Sequence, residues 1–269
     1  MPVPGQPTHE FVTVEQRDHI WFVTLNRPEV MNSLHYDASG ELARVWDDFA
    51  ADDSAWVAVL TGAGDRAFCA GNDLKATAAG TNRHISEFDR GFGGLTDRYD
   101  LFKPVIAAVN GWAMGGGFEL ALASDIVIAS DRAKFGLPEV RVGLYASAGG
   151  IHRLPRQIPQ KIAMGMMLTG KPIDAQEAYR VGLVNEVVPH EDLMAAAERW
   201  AREVLVGAPL AVRGTKEGAL RGLDRTLQDA FRGEKRGDYA WLRRHELSAD
   251  RVEGPRAFSE KREPKWVGR

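Results

Sequence analysis

Cysteine is nearly absent. Cys69 is the one thiol in 269 residues, so an intrachain disulfide, and any framework built on several, is excluded. That scarcity fits a reducing compartment, and a cytoplasmic location is expected. No apolar run approaches the ~18 residues of a membrane span, and no membrane partner is expected. Residues 1–10 offer neither a basic stretch nor an apolar run, which predicts no secretory signal. Positive charge is not in excess either: 34 Lys+Arg against 37 Asp+Glu leave a net charge of −3. General nucleic-acid affinity needs a basic footprint, so no nucleic-acid partner is expected. Sequence repeats and low-complexity blocks are missing as well.

Several catalytic signatures are also missing. None of the seven histidines forms H-E-x-x-H, and no Cys/His cluster exists, so no zinc site is expected. No G-x-S-x-G elbow supports a serine hydrolase. Residues 62–67, Gly-Ala-Gly-Asp-Arg-Ala, fit the dinucleotide fingerprint and follow a strand pattern. That chemistry needs a helix opening behind the glycines to hold the pyrophosphate, and Phe68-Cys69-Ala70-Gly71-Asn72 is a poor helix start. Cys69, between Phe68 and Ala70, reads as a small buried hydrophobe rather than a nucleophile.

What is present is ordinary globular material, with 44% apolar and 26% charged residues. Such a length makes one large domain or two small ones and buries a core without staples. Residues 11–15, 20–25, 56–61, 105–109 and 126–129 read as strands, and 34–49 and 118–123 as helices. The stretch 62–100 reads as loop-rich, and residues 1–7 as frayed. Alternating strands and helices up to about residue 190 predict an α/β core. Helical periodicity then takes over around 193–204, 208–220, 227–231, 239–247 and 254–262. A boundary near residue 200 is expected, giving a core over 1–200 and a helical region over 201–269. Charge changes there too: residues 202–269 carry 16 Lys+Arg against 11 Asp+Glu, and residues 1–201 carry 18 against 26. Those cations either coat solvated helices or meet phosphates. Helices added after an α/β core often pack on a partner subunit, so an oligomer is expected.

Two segments carry candidate chemistry: residues 67–75 and residues 110–120. Ala70 and Gly71 let a ligand approach the backbone closely. Gly115, Gly116 and Gly117 precede a helix and leave N–H groups at its positive end. N–H groups from two such segments can form an oxyanion hole, each worth about 3–4 kcal/mol in a transition state. Taken singly, each glycine cluster is equally a tight turn. Glu119 follows in the first turn of that helix, and Glu139 comes 20 residues later in Phe135-Gly136-Leu137-Pro138-Glu139. Carboxyl groups among apolar neighbours have raised pKa values and can trade protons near neutrality. Alternatively, Glu119 complements a helix N-terminus and Glu139 sits on a surface turn.

Beyond these, Asn26-Arg27-Pro28 with Met31-Asn32-Ser33-Leu34, Leu60-Thr61-Gly62, Ser124-Asp125, Gly149-Gly150 with Arg153-Leu154, and Gly182-Leu183-Val184-Asn185 recur in a familiar order. Together with the two segments and the Glu139 turn, they make the chain resemble the crotonase (enoyl-CoA hydratase/isomerase) superfamily from Phe11 to the end. The tail Glu253-Gly254-Pro255-Arg256-Ala257-Phe258, with Glu260-Lys261-Arg262 and Trp266, is similar to the carnitinyl-CoA dehydratase branch. The resemblance implies an α/β fold: a spiral of ββα turns with a C-terminal helical region, assembled as a homotrimer or dimer of trimers. It implies an acyl-CoA thioester substrate, with CoA carried as part of that substrate and no separate cofactor or metal. The oxyanion N–H groups map to Asn72 and Gly116, and the catalytic glutamates to Glu119, which activates water, and Glu139, which exchanges the α-carbon proton. Ala70, Asn72, Asp73, Leu74, Lys75 and Gly116 line the CoA path, Lys261 is a candidate phosphate contact, and Asp125 is structural. The implied reaction is reversible hydration of an enoyl-CoA. The alternatives are a carnitinyl-CoA-type dehydratase, an enoyl-CoA isomerase, and a non-catalytic acyl-CoA- or RNA-binding relative. Two residues depart from the pattern: Asn72 is larger than the usual small residue, and Ala146, beside Tyr145, replaces a common proline.

Overall fold

The computed structural model describes residues 9–80 and 90–269. The start expected to be frayed, 1–7, and part of the loop-rich stretch 62–100 lie outside the described residues. In chain order the fold begins with β1 (Val12–Arg17), β2 (Ile20–Leu25) and α1 (Tyr36–Ala51). Next come β3 (Val57–Gly62), β4 (Ala67–Cys69), α2 (Leu74–Ala78), β5 (Val105–Val109), β6 (Trp112–Met114) and α3 (Gly116–Ala123). β7 (Ile126–Ser130), β8 (Lys134–Gly136), α4 (Gly150–Gln157), α5 (Gln160–Thr169), β9 (Ile173–Asp174), α6 (Ala175–Arg180) and β10 (Glu186–Val188) complete the α/β part. The chain ends in α7 (Leu193–Val206), α8 (Pro209–Gly222), α9 (Leu227–Arg236), α10 (Ala240–Glu246) and α11 (Ala249–Ser259).

Three times the chain runs a long strand, turns a corner, makes a short strand and then a helix: β3–β4–α2, β5–β6–α3 and β7–β8–α4. The long strands form one sheet in the order β1-β2-β3-β5-β7-β10, parallel except for the β1–β2 hairpin. The short strands form a second sheet in the order β4-β6-β8-β9. β3 and β5 are buried at every position, so they read as unbroken apolar runs, as parallel strands covered on both faces do. The spiral of ββα turns implied by the resemblance is therefore the architecture observed.

The corners are built by small and amide residues. A Cβ on Gly62 would stand 2.3 Å from the Phe68 carbonyl oxygen, and one on Gly111 2.3 Å from that of Arg66. Asn110 donates to the carbonyls of Gly62 (2.9 Å) and Gly64 (2.8 Å), tying one corner to the next. Asn32 donates to Ala67 (2.8 Å) and Ala63 (3.0 Å). Asp125 accepts the Val105 N–H at 2.8 Å, which is the structural role expected of it.

β4 and β6, at three residues each, are too short to show a period; β4 lies in the stretch expected to be loop-rich, and residues 112–114 carry no strand expectation. The first helix begins at Tyr36 because His35 caps it, its Nδ1 accepting from the Ala38 N–H. The last helix begins at Ala249, earlier than expected, because the Ser248 hydroxyl accepts from Arg251.

The chain divides into two compact units: residues up to 98 with 105–199, and residues 99–104 with 200–269. Within the second unit, α8 and α10 pack closely: a Cβ on Gly214 would meet Leu242 at 2.8 Å. Glu217, fully buried, accepts the Trp241 N–H at 2.6 Å, and the Arg213 guanidinium lies 4.9 Å from the Trp241 ring centre. Buried Asp250 holds the chain end by accepting the N–H groups of Val267 and Gly268.

Candidate active site

The site begins where β4 ends. The Ala70 N–H donates to the Met31 carbonyl at 2.9 Å, and the Gly71 carbonyl accepts from Leu34 at 2.9 Å. Residues 70–72 are thus laid alongside 31–34, with Leu34 and Asn72 bridged in parallel. Gly71 has φ +90°, and a Cβ there would come within 2.7 Å of the Met114 carbonyl oxygen and 3.0 Å of the Gly116 nitrogen. Only glycine allows both the left-handed conformation and that approach. The two glycine-bearing segments, 45 residues apart, therefore meet backbone to backbone at Gly71 and Gly116.

On the second segment Gly115 is the N-cap of α3, with φ +53°. The first N–H groups of a helix have no intrahelical acceptor, and those of Gly116 and Gly117 stand in that position. Gly117 is pinned against β4, since a Cβ there would lie 2.0 Å from the Cys69 carbonyl oxygen. The N-terminus of α3 is thereby aimed at the loop that carries Asn72.

Glu119 sits on α3 and is 3% exposed. Its Oε1 accepts the Gly150 N–H at 2.8 Å, at the N-terminus of α4. Burial raises its pKa to about 7; the nearby Glu139 charge adds to this, while the N–H groups of Gly150 and Ala148 and the charge of Arg153 oppose it. Glu139 opens a short 3₁₀ turn, Glu139–Val142, behind Pro138. Its pKa is also raised, by burial. A Cβ on Gly115 would stand 3.0 Å from Glu139 Oε1, and Glu139 Oε2 is buried with no hydrogen-bond partner among the described residues. Both carboxyls are thus held above the ordinary carboxylate range, and Glu119 exchanges its proton near neutral pH.

These groups line one cavity of about 490 Å³, which takes in Ala70, Asn72, Leu74, Gly116, Glu119 and Glu139. Two other candidates do not line it, and a third lies in the second compact unit. Asp73 caps α2, accepting the Ala76 N–H at 3.2 Å, and pairs with Arg27 at 3.3 Å; Arg27 and the helix end occupy it. Lys75 is exposed on α2 and is not part of the lining. Lys261, exposed with φ +54°, belongs to the second unit.

The structure adds residues that periodicity did not single out. The Phe92 ring lies where a Cβ on Gly116 would approach it to 2.7 Å, so the ring closes over the α3 N-terminus. Buried Ser39, on α1, accepts the Gly93 N–H at 2.8 Å and also faces the cavity. Thr77, whose hydroxyl accepts from the Asn72 amide at 3.1 Å, lines it too. So do Arg141, Val142, Leu144 and Tyr145. Their one signal in the sequence was proximity to the Glu139 turn and to Ala146.

Two competing readings fall away. Residues 62–67 lead into strand β4, not a helix, so they make no dinucleotide site. Burial pushes the Cys69 thiol up to about 12, far from any nucleophile's range.

A family model described as enoyl-CoA hydratase/isomerase matches residues 15–269. The chain is 43% identical over 253 residues to a carnitinyl-CoA dehydratase of Proteus mirabilis, spanning 94% of this chain and 97% of that one. It is 43% identical over 259 residues to an (E)-benzylidenesuccinyl-CoA hydratase of Thauera aromatica, spanning 96% and 99%. Among solved structures it is similar to an enoyl-CoA hydratase from Mycobacterium marinum, with a TM-score of 0.89, 42% identity, and coverage of 96% and 99%. It is also similar to a carnitinyl-CoA hydratase from Mycobacterium avium, with a TM-score of 0.76, 41% identity, and coverage of 97% and 100%.

Proposed function

This chain belongs to the enoyl-CoA hydratase/isomerase family, and from that premise we propose that it is a hydro-lyase adding water reversibly across the α,β double bond of an enoyl-CoA thioester. The observation that carries the reading is the pairing of buried Glu119 with half-buried Glu139, both with raised pKa values, in one cavity, beside the close approach of Gly71 to Gly116.

In this reading the thioester carbonyl oxygen sits between the N–H groups of Asn72 and Gly116. Ionised Glu119 takes a proton from water as its oxygen attacks the β-carbon. The π electrons move through the α-carbon onto the carbonyl oxygen, where the two N–H groups stabilise the enolate-like charge. Protonated Glu139 then delivers its proton to the α-carbon, restoring the carbonyl. Dehydration runs the same steps backwards. Carboxylate proton transfer and N–H polarisation suffice for this chemistry, so the proposal includes no metal or redox cofactor. Ala70 and Leu74 border the pantetheine arm, and Lys75 is offered to the CoA phosphates.

The 43% identity to a carnitinyl-CoA dehydratase supports a second reading, with the same steps on a trimethylammonium-bearing acyl group. A homotrimer or dimer of trimers in the cytoplasm is part of the proposal. Its support is the exposure of large apolar side chains on the C-terminal helices, Leu223, Leu227 and Phe231 among them.

The test is loss of enoyl-thioester ultraviolet absorbance when the protein, with a metal chelator present, meets crotonyl-CoA. Wild type is expected to consume the absorbance, and Glu139→Gln to slow it by about 10²–10⁴-fold, the usual size of a general acid–base contribution. Equal rates in the two proteins, or a product carrying no solvent oxygen, would refute the two-carboxylate hydration.

A further inference from the structure

Among the described residues, the charged ones lining the cavity are Glu119, Glu139 and one cation, Arg141, and the hydration steps leave that cation without a task. Arg141 lies in the same 3₁₀ turn as Glu139, its N–H bonded to the Pro138 carbonyl at 2.9 Å. Its side chain is held: Nε donates to the Thr169 carbonyl at 2.8 Å. Gly170, φ +63°, makes room for it, because a Cβ there would press on Nε at 3.0 Å and on Cγ at 3.2 Å. Among the described residues, no carboxylate lies within ion-pairing distance of the guanidinium. Tethering through Nε leaves the paired Nη groups, the edge that grips a carboxylate with two parallel bonds.

We propose that Arg141 selects the acyl group, and that the natural substrate carries a second carboxylate: an α,β-unsaturated dicarboxylic acid joined to CoA through one of its two carboxyls. The inference rests on the hydratase reading and narrows its substrate class. Position favours the acyl end over the CoA phosphates. Arg141 is two residues from Glu139, the group assigned to the α-carbon, and residues in a 3₁₀ turn rise only about 2 Å each. The phosphates lie a full pantetheine arm away from that carbon. The same cation argues against a trimethylammonium-bearing acyl group, which would meet like charge across the cavity. Around it, Val142, Leu144 and Tyr145 supply apolar surface for the carbon skeleton between the two carboxyls.

Binding and turnover test this separately. Calorimetry with the intact protein would compare glutaryl-CoA with butyryl-CoA, saturated analogues that differ only by a terminal carboxylate. Turnover would compare glutaconyl-CoA with crotonyl-CoA. Wild type is expected to favour the carboxylated member of each pair by at least about tenfold, the reach of one charge-assisted bond. Arg141→Gln should collapse that preference toward unity, and Arg141→Lys, which keeps the charge but not the two-pronged edge, should retain part of it. No preference in wild type, or an Arg141→Gln variant that weakens both analogues equally, as a phosphate contact would, overturns the proposal. Should the binding preference appear and vanish with Arg141 while neither enoyl-CoA is hydrated, the selectivity stands and the hydration reading fails.

Discussion

Glu119 shows how a single residue trades stability for function. Its pKa of about 7, against an ordinary 4.5, means the folded protein binds this proton more tightly than the unfolded chain. The stability so gained is complete below about pH 4.5 and is lost as pH rises through about 7. Holding the ionised carboxylate at 3% exposure then costs about 3 kcal/mol, at ~1.4 kcal/mol per tenfold change in proton affinity. Glu119→Gln keeps an oxygen for the Gly150 N–H and removes the charge. It is therefore expected to raise Tm at pH 8, by much less at pH 5, while abolishing most turnover. Thermal melts at the two pH values check this; an equal or absent change would show that the carboxylate is not strained. The neighbouring charge adds a second effect. Because Glu139 helps to hold the Glu119 pKa up, Glu139→Gln should move the Glu119 titration downward, as read by carbon-13 labelling of the glutamate carboxyls. An unmoved titration would separate the two groups electrostatically.

At the scale of elements, the site depends on two backbones meeting. Helix α3 contributes its first N–H groups and Glu119, and the segment after β4 contributes Asn72, but Gly71 decides how close they come. Gly71→Ala would place a methyl 2.7 Å from the Met114 carbonyl oxygen in a left-handed conformation, and something must shift. Parting the two N–H groups should cost up to the ~3–4 kcal/mol of one oxyanion donor, or roughly 10²-fold and more in kcat. The expected result is a folded protein, by circular dichroism, with a large loss in kcat and a smaller change in KM. Wild-type kcat would refute the close approach. The same element scale marks the limit of reading the chain directly. β3, β5 and β7 were legible because buried parallel strands are continuous apolar runs. β4 and β6 were not: at three residues each, the strands that carry the site's two segments have no period to read.

For the whole molecule, the charge balance conceals a division. The acidic α/β part and the basic C-terminal helices sum to almost nothing. The C-terminal unit also exposes large side chains, with Leu247 at 86% and Phe258 at 87%. Single exposed apolar residues are common, but this many on one set of helices favours burial against another chain. Light scattering on the eluting protein is expected to give a mass of three or six chains. A stable monomer at micromolar concentration, still active, would remove assembly from the proposal.

Composition and motif order carried a good deal by themselves. One cysteine excluded disulfides, apolar runs located the long strands, and the order of the glycine-bearing segments, Glu119, Glu139 and the other motifs made the family resemblance that implied acyl-CoA chemistry. Those signals are local or depend only on order along the chain, so they survive without coordinates. The spiral left no repeat in the sequence, because each turn is held by corner contacts such as Asn110 to Gly62 and Gly64 rather than by a recurring set of side chains. Tertiary structure alone decided that Asp73 pairs with Arg27, that Phe92 closes over Gly116, and that Arg141 borders the same cavity as Glu119. Each of those facts is a distance between residues far apart in the chain, and distance is set by how the sheets and helices pack.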